Sequence, residues 1–123
     1  MEVNEKIREK LLKGLQEWKE NLNKSIDFYI EAIAKSKSVE SIMWYKKQLI
    51  IACIKKLPLT ADTCYFCIAN EKESRLDCEG CYYGKIHGIC REDLSDFDKI
   101  MCVKWQLINI VDELYCKDDE KYE

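Results

Sequence analysis

Three features of the 123-residue sequence predict an all-α fold. Apolar residues recur every three or four positions along three long stretches, which keeps one stripe of a helix facing one way. The first break between stretches is a short polar turn, Ser36 to Ser38, and the only proline, Pro58, opens the second. Five of the eight cysteines and three of the four glycines crowd into one segment, Cys64 to Cys90. The expected architecture is a helical hairpin plus a third long helix, with a zinc-binding cysteine-rich loop module between helices two and three. We expect one domain over residues 1–123: a helix at 3–35, a helix at 39–57, the cysteine-rich module at 58–92 and a helix at 93–117. At 47% hydrophobic and 35% charged residues, a chain of this length can bury a core.

In the first stretch, Ile7, Leu11, Leu15, Trp18, Leu22, Ile26, Tyr29 and Ile33 form the stripe. It keeps phase across Asn21–Ser25, so an unbroken helix is expected rather than a kink there. At about 1.5 Å per residue such a helix spans roughly 50 Å, longer than the other helices can cover. One end of the stripe, Ile7, Leu11 and Leu15 or Ile26, Tyr29 and Ile33, is therefore expected to be exposed and to favour a homodimer. Ser38 is placed to cap a second helix carrying Ile42, Met43, Leu49, Ile50, Ile54 and Leu57, and Pro58 stops it. The third helix opens on acidic residues between Arg91 and Phe97, which suit the positive end of a helix dipole. It carries Leu94, Phe97, Ile100, Met101, Trp105, Ile108, Val111, Leu114 and Tyr115, with Val103, Leu107 and Ile110 on a second side, so it is central to the bundle or buries one side against another chain. Cys53, Cys102 and Cys116, with Trp18, Trp44 and Trp105, read as core residues on these helices.

The central segment holds Cys64-x2-Cys67 and Cys78-x2-Cys81, ten residues apart, with Cys90 eight residues beyond. Each C-x2-C pair can offer two thiolates from one tight turn, and four thiolates close a tetrahedral structural zinc site. The candidate ligands are Cys64, Cys67, Cys78, Cys81 and Cys90, of which a single ion takes four. Cys90 competes with Cys78 in particular. His87, in H-x2-C spacing with Cys90, offers a nitrogen, and its alternative is an exposed histidine in a turn. An iron–sulfur cluster or disulfides are the rival uses of these thiols. Beside them, Tyr65, Phe66, Tyr82 and Tyr83 are too many rings for a small loop to bury alone, so they pack on the helices or on a partner.

The order Cys64, Cys67, then Cys78-Glu79-Gly80-Cys81, then Gly88-Ile89-Cys90, followed by Phe97 and Trp105, resembles uncharacterised small cysteine-rich proteins of archaea, bacteria and their viruses. Many of those have proline after the fourth cysteine, where this chain has Tyr82. The resemblance covers about a quarter of the chain and implies a zinc site without an activity.

Composition sets the function classes apart. No apolar run reaches the roughly 18 to 20 residues of a membrane span, and the opening Met-Glu-Val-Asn-Glu-Lys lacks the apolar core of a secretion signal, so a cytoplasmic, intracellular protein is expected. An enzyme is not expected, because a four-thiolate zinc leaves no position for water and the sequence shows no carboxylate partner for the sole histidine. Residues 1–57 hold 12 Lys/Arg and 8 Asp/Glu, while residues 58–123 hold 8 and 15. Lys46, Lys47, Lys55 and Lys56, with Lys6, Arg8, Lys10 and Lys13, therefore support one alternative, a nucleic-acid-binding zinc protein using the basic first half. Against it stands a sequence pI near 5.3. The favoured expectation is a zinc-stabilised helical protein-interaction module, in keeping with a viral or mobile-element accessory protein, with a protein partner or a second copy of itself.

Overall fold

The computed structural model describes residues 2–72, 75–76, 87 and 95–115. Its helices, among the described residues, are α1 Glu5–Lys35, α2 Val39–Lys55, a 3-10 turn Ala61–Thr63, the short α3 Tyr65–Ala69 and α4 Asp96–Leu114. Between α3 and α4 lies one ladder, β1 Glu71–Lys72 with β2 Arg75–Leu76, antiparallel with Lys72 opposite Arg75. Two residues a side do not alter the all-α class. Among the described residues no helix is long and apolar enough to cross a membrane.

Local chemistry sets the helix ends. α1 starts at Asn4, whose Oδ1 accepts from the N–H groups of Lys6 at 3.0 Å and Ile7 at 3.3 Å. The helix then continues through Asn21–Ser25 without a break. Ser36 stops it, its N–H donating to Ile33 and its hydroxyl to Ala32. Ser38 caps α2, accepting from the Ser41 N–H at 3.1 Å. α4 begins at Asp96 because Ser95 caps it: Ser95 Oγ accepts from the Asp98 N–H at 3.1 Å and its carbonyl from the Lys99 N–H at 3.0 Å. Asp96 and Asp98 place negative charge in that first turn.

The chain divides into two compact units, Met1–Trp18 with Pro58–Val103 and Lys19–Leu57 with Lys104–Glu123. In the second unit Lys56 Nζ, just past the end of α2, donates to Ser25 Oγ of α1, so α2 runs back alongside the second half of α1. Among the described residues, Ile51 of α2 and Ile108 of α4 are the buried hydrophobic ones, at 7% and 6% exposure. Lys47 of α2 lies 3.4 Å from Asp112 of α4 with its side chain largely covered. The first unit holds the cysteine turn and is described below.

Two expectations need correcting. All eight residues of the α1 stripe are half-buried, so neither end of it is an exposed strip. The exposed apolar side chains include Trp44, Trp105 and several residues of α4 instead, and Cys102 is exposed too, so these are not core residues. A thin core makes its few members costly to trim. Ile51→Ala or Ile108→Ala should each cost about 2 to 5 kcal/mol, whereas Leu12→Ala, at an exposed site of α1, should cost well under 1. Thermal unfolding followed by circular dichroism measures the contrast, and equal effects at the three positions would contradict this core.

Candidate metal centre

The segment that leads to the first two thiols is a compact loop closed on itself. After Pro58, Thr63 Oγ1 donates to the carbonyls of Pro58 at 3.0 Å and Thr60 at 2.9 Å, and the Thr63 N–H donates to Thr60 at 3.1 Å. Thr60 Oγ1 also donates to the Asp62 carboxylate. The loop seats on α1 at Gly14, the one buried residue of that helix. A Cβ at Gly14 would stand 2.2 Å from the Asp62 carbonyl oxygen, so the Hα that occupies that direction points at the oxygen. A second tie lies nearer the start of α1: the Asn4 N–H donates to Tyr65 Oη at 2.9 Å. Asp62 to Tyr65 is thereby laid along the first turns of the helix.

Cys64 follows directly as the residue before α3, with an extended backbone, and its carbonyl accepts from the Ile68 N–H at 3.1 Å. Cys67 stands one turn on, and residues three apart on a helical turn share a face. Both thiols are half-buried and neither is in a disulfide. Asn70 ends the turn, its N–H and its Nδ2 donating to the Phe66 carbonyl at 3.1 and 2.7 Å. The β1–β2 ladder comes next and doubles the chain back. Cys67 also lines an open cleft with Lys10, Lys13, Gly14, Glu17, Asp62 and Ile68. Tyr65 and Phe66, half-buried, meet edge to face at 5.8 Å.

Cys78, Cys81 and Cys90 lie outside the described residues, as do Tyr82 and Tyr83. Among the described residues, no group of three or more His, Cys, Asp or Glu side chains converges on one point. Of the five candidate thiols, then, Cys64 and Cys67 are placed on one turn, and the backbone that follows them is turned round.

His87 has a partner that the sequence did not reveal. Its Nδ1 lies 2.7 Å from Asp96 Oδ2, and Asp96 Oδ1 is 3.8 Å from Lys99 Nζ. The missing carboxylate partner therefore fails as an argument against chemistry at this histidine. The pair is about half exposed. A carboxylate on one ring nitrogen orients the imidazole and directs metal binding to the other, Nε2. Ser95 fixes the acid by capping the helix on which Asp96 stands.

The basic residues grouped for nucleic acid are partly engaged within the protein: Lys47 with Asp112, Lys56 with Ser25 and Arg8 with Glu5 at 3.4 Å. Comparison with protein-family models, curated proteins and solved structures finds no match to this chain.

The Gly14 contact can be tested directly. Glycine inside a helix costs about 1 kcal/mol relative to alanine, so Gly14→Ala would stabilise a solvent-exposed α1. Against the Asp62 carbonyl, the added methyl should instead lower stability by about 1 to 2 kcal/mol, because overpacking outweighs the propensity gain. A raised melting temperature for Gly14→Ala would show that the loop does not sit there.

Proposed function

We propose that this chain is a zinc-stabilised helical protein-interaction module without catalytic activity of its own. The observation that carries the interaction reading is the set of large apolar side chains that α4 exposes (Ile100, Val103, Leu107, Ile110 and Leu114), since apolar strips of this kind usually mark contact surfaces. Support for the zinc comes from the seating of Cys64 and Cys67. Their turn is tied to α1 on either side of Cys64, by Asp62 on Gly14 and by Tyr65 on Asn4, which favours a preset position for that thiol. The ladder then reverses the chain two residues before Cys78. At about 3.8 Å between successive Cα atoms, Cys78 stays within roughly 8 Å of Leu76, so the second C-x2-C pair can return towards the first. The remaining ligands are drawn from Cys78, Cys81, Cys90 and His87.

Structural zinc contributes on the order of 10 kcal/mol, comparable to the whole stability of a small domain. A term of that size would weigh heavily on whether the cysteine segment folds.

Native mass spectrometry with elemental analysis should find one zinc per chain, lost in Cys64→Ser and in Cys67→Ser but kept in Cys53→Ser. Chelation should lower the melting temperature by tens of degrees. Metal-free protein with unchanged thermal stability, or the visible absorbance of an iron–sulfur cluster, would refute the zinc.

A further inference from the structure

Ile100, Val103, Leu107, Ile110 and Leu114 are spaced three, four, three and four apart, the a and d positions of two consecutive heptads and the a position of the next. All five are exposed, at 46, 62, 46, 53 and 58%. The side of α4 that packs inward is a different one, with Ile108 buried and Phe97, Met101 and Val111 half-buried. Asp112, on the opposite side of the helix from this seam, is the residue that Lys47 of α2 holds at 3.4 Å, so the seam faces away from α2. A strict 3.5-residue seam is narrower than the stripe a helix needs against a globular core, and it suits another helix with the same repeat.

We infer that the seam is covered by the α4 of a second copy of this chain, packed antiparallel about a two-fold axis. This rests on the reading of the chain as an interaction module and names its partner. The flanking charges choose both occupant and direction. Lys99 and Lys104 flank the first half of the seam and Glu113 the second. In a parallel pair Lys99 of each helix meets Lys104 of the other, five positions on, and the cations repel. In an antiparallel pair the basic end of each helix lies beside the acidic end of the other. One surface carrying both signs in this order is self-complementary, as an isologous two-fold interface requires.

The test is the mass of the zinc-loaded full chain by light scattering from micromolar to millimolar concentration, with circular dichroism to confirm folding. The wild type should reach twice the 14.6 kDa of the chain. Leu107→Glu should weaken association by at least about 100-fold, since each dimer loses two half-exposed leucines worth roughly tenfold apiece. Its helicity and zinc content should not change, because the residue is exposed in the single chain. Lys99→Glu and Glu113→Lys should each weaken the dimer, and the double variant should restore it. Single variants that tighten the dimer would mean a parallel pair and overturn the antiparallel arrangement. A dimer insensitive to Leu107→Glu would place its interface elsewhere. A wild type that stays monomeric throughout would overturn the second copy and leave the module reading intact, with a different protein on the seam. Loss of zinc without loss of the dimer would count against the metal alone.

Discussion

The Asp62 carbonyl against the Hα of Gly14 is the contact on which the cysteine segment depends. Any side chain at position 14 would hold the loop off α1, and with it the turn that begins two residues later at Cys64. The helix gives up about 1 kcal/mol of propensity to keep a glycine there. In return a backbone carbonyl lies directly against a backbone carbon, with no side chain between them to change rotamer. The position of the Cys64 turn on α1 is thereby set by main chain rather than by flexible side chains.

The same economy governs the rest of the molecule. Ile51 and Ile108 are the buried hydrophobic residues among those described, and Ser95, the cap of α4, is the buried polar one. A 31-residue α1 with a half-buried stripe lends much of its surface to packing without sealing a core.

The helices were readable because each is long and periodic, and their signals are local: Ser38 capping α2 needs only the residues that follow it. The two-sided pattern of α4 was also visible, since Val103, Leu107 and Ile110 leave the phase of Ile108 and Val111. Which side would be covered was not, because that depends on Lys47 and Asp112, far apart in sequence. The exposed strip was therefore expected on α1 and is found on α4. Gly14 did leave a trace, as the single glycine within a long apolar-striped helix, although its reason lies 48 positions away at Asp62. The pairing of His87 with Asp96 left none, since an acidic residue at a helix start has a sufficient local explanation in the dipole. Of the candidate thiols, the C-x2-C spacing predicted that Cys64 and Cys67 share a turn, and they do; Cys78, Cys81 and Cys90 lie outside the described residues.

Asn4 serves two structures at once. Its side chain closes the first turn of α1, and its own N–H, which lies outside the ladder of that helix, is held by Tyr65, 61 positions along the chain. The start of a helix ordinarily frays on its own, at little cost to anything else. Here unwinding that first turn breaks the tie to the ring beside Cys64, which couples the start of the helix to the cysteine turn through that hydrogen bond. The amide of Asn4 is thus a reporter: its exchange with solvent reads the docking of the cysteine turn from the far end of the contact. A force or a partner acting on the first few residues would be felt at the thiols without touching them.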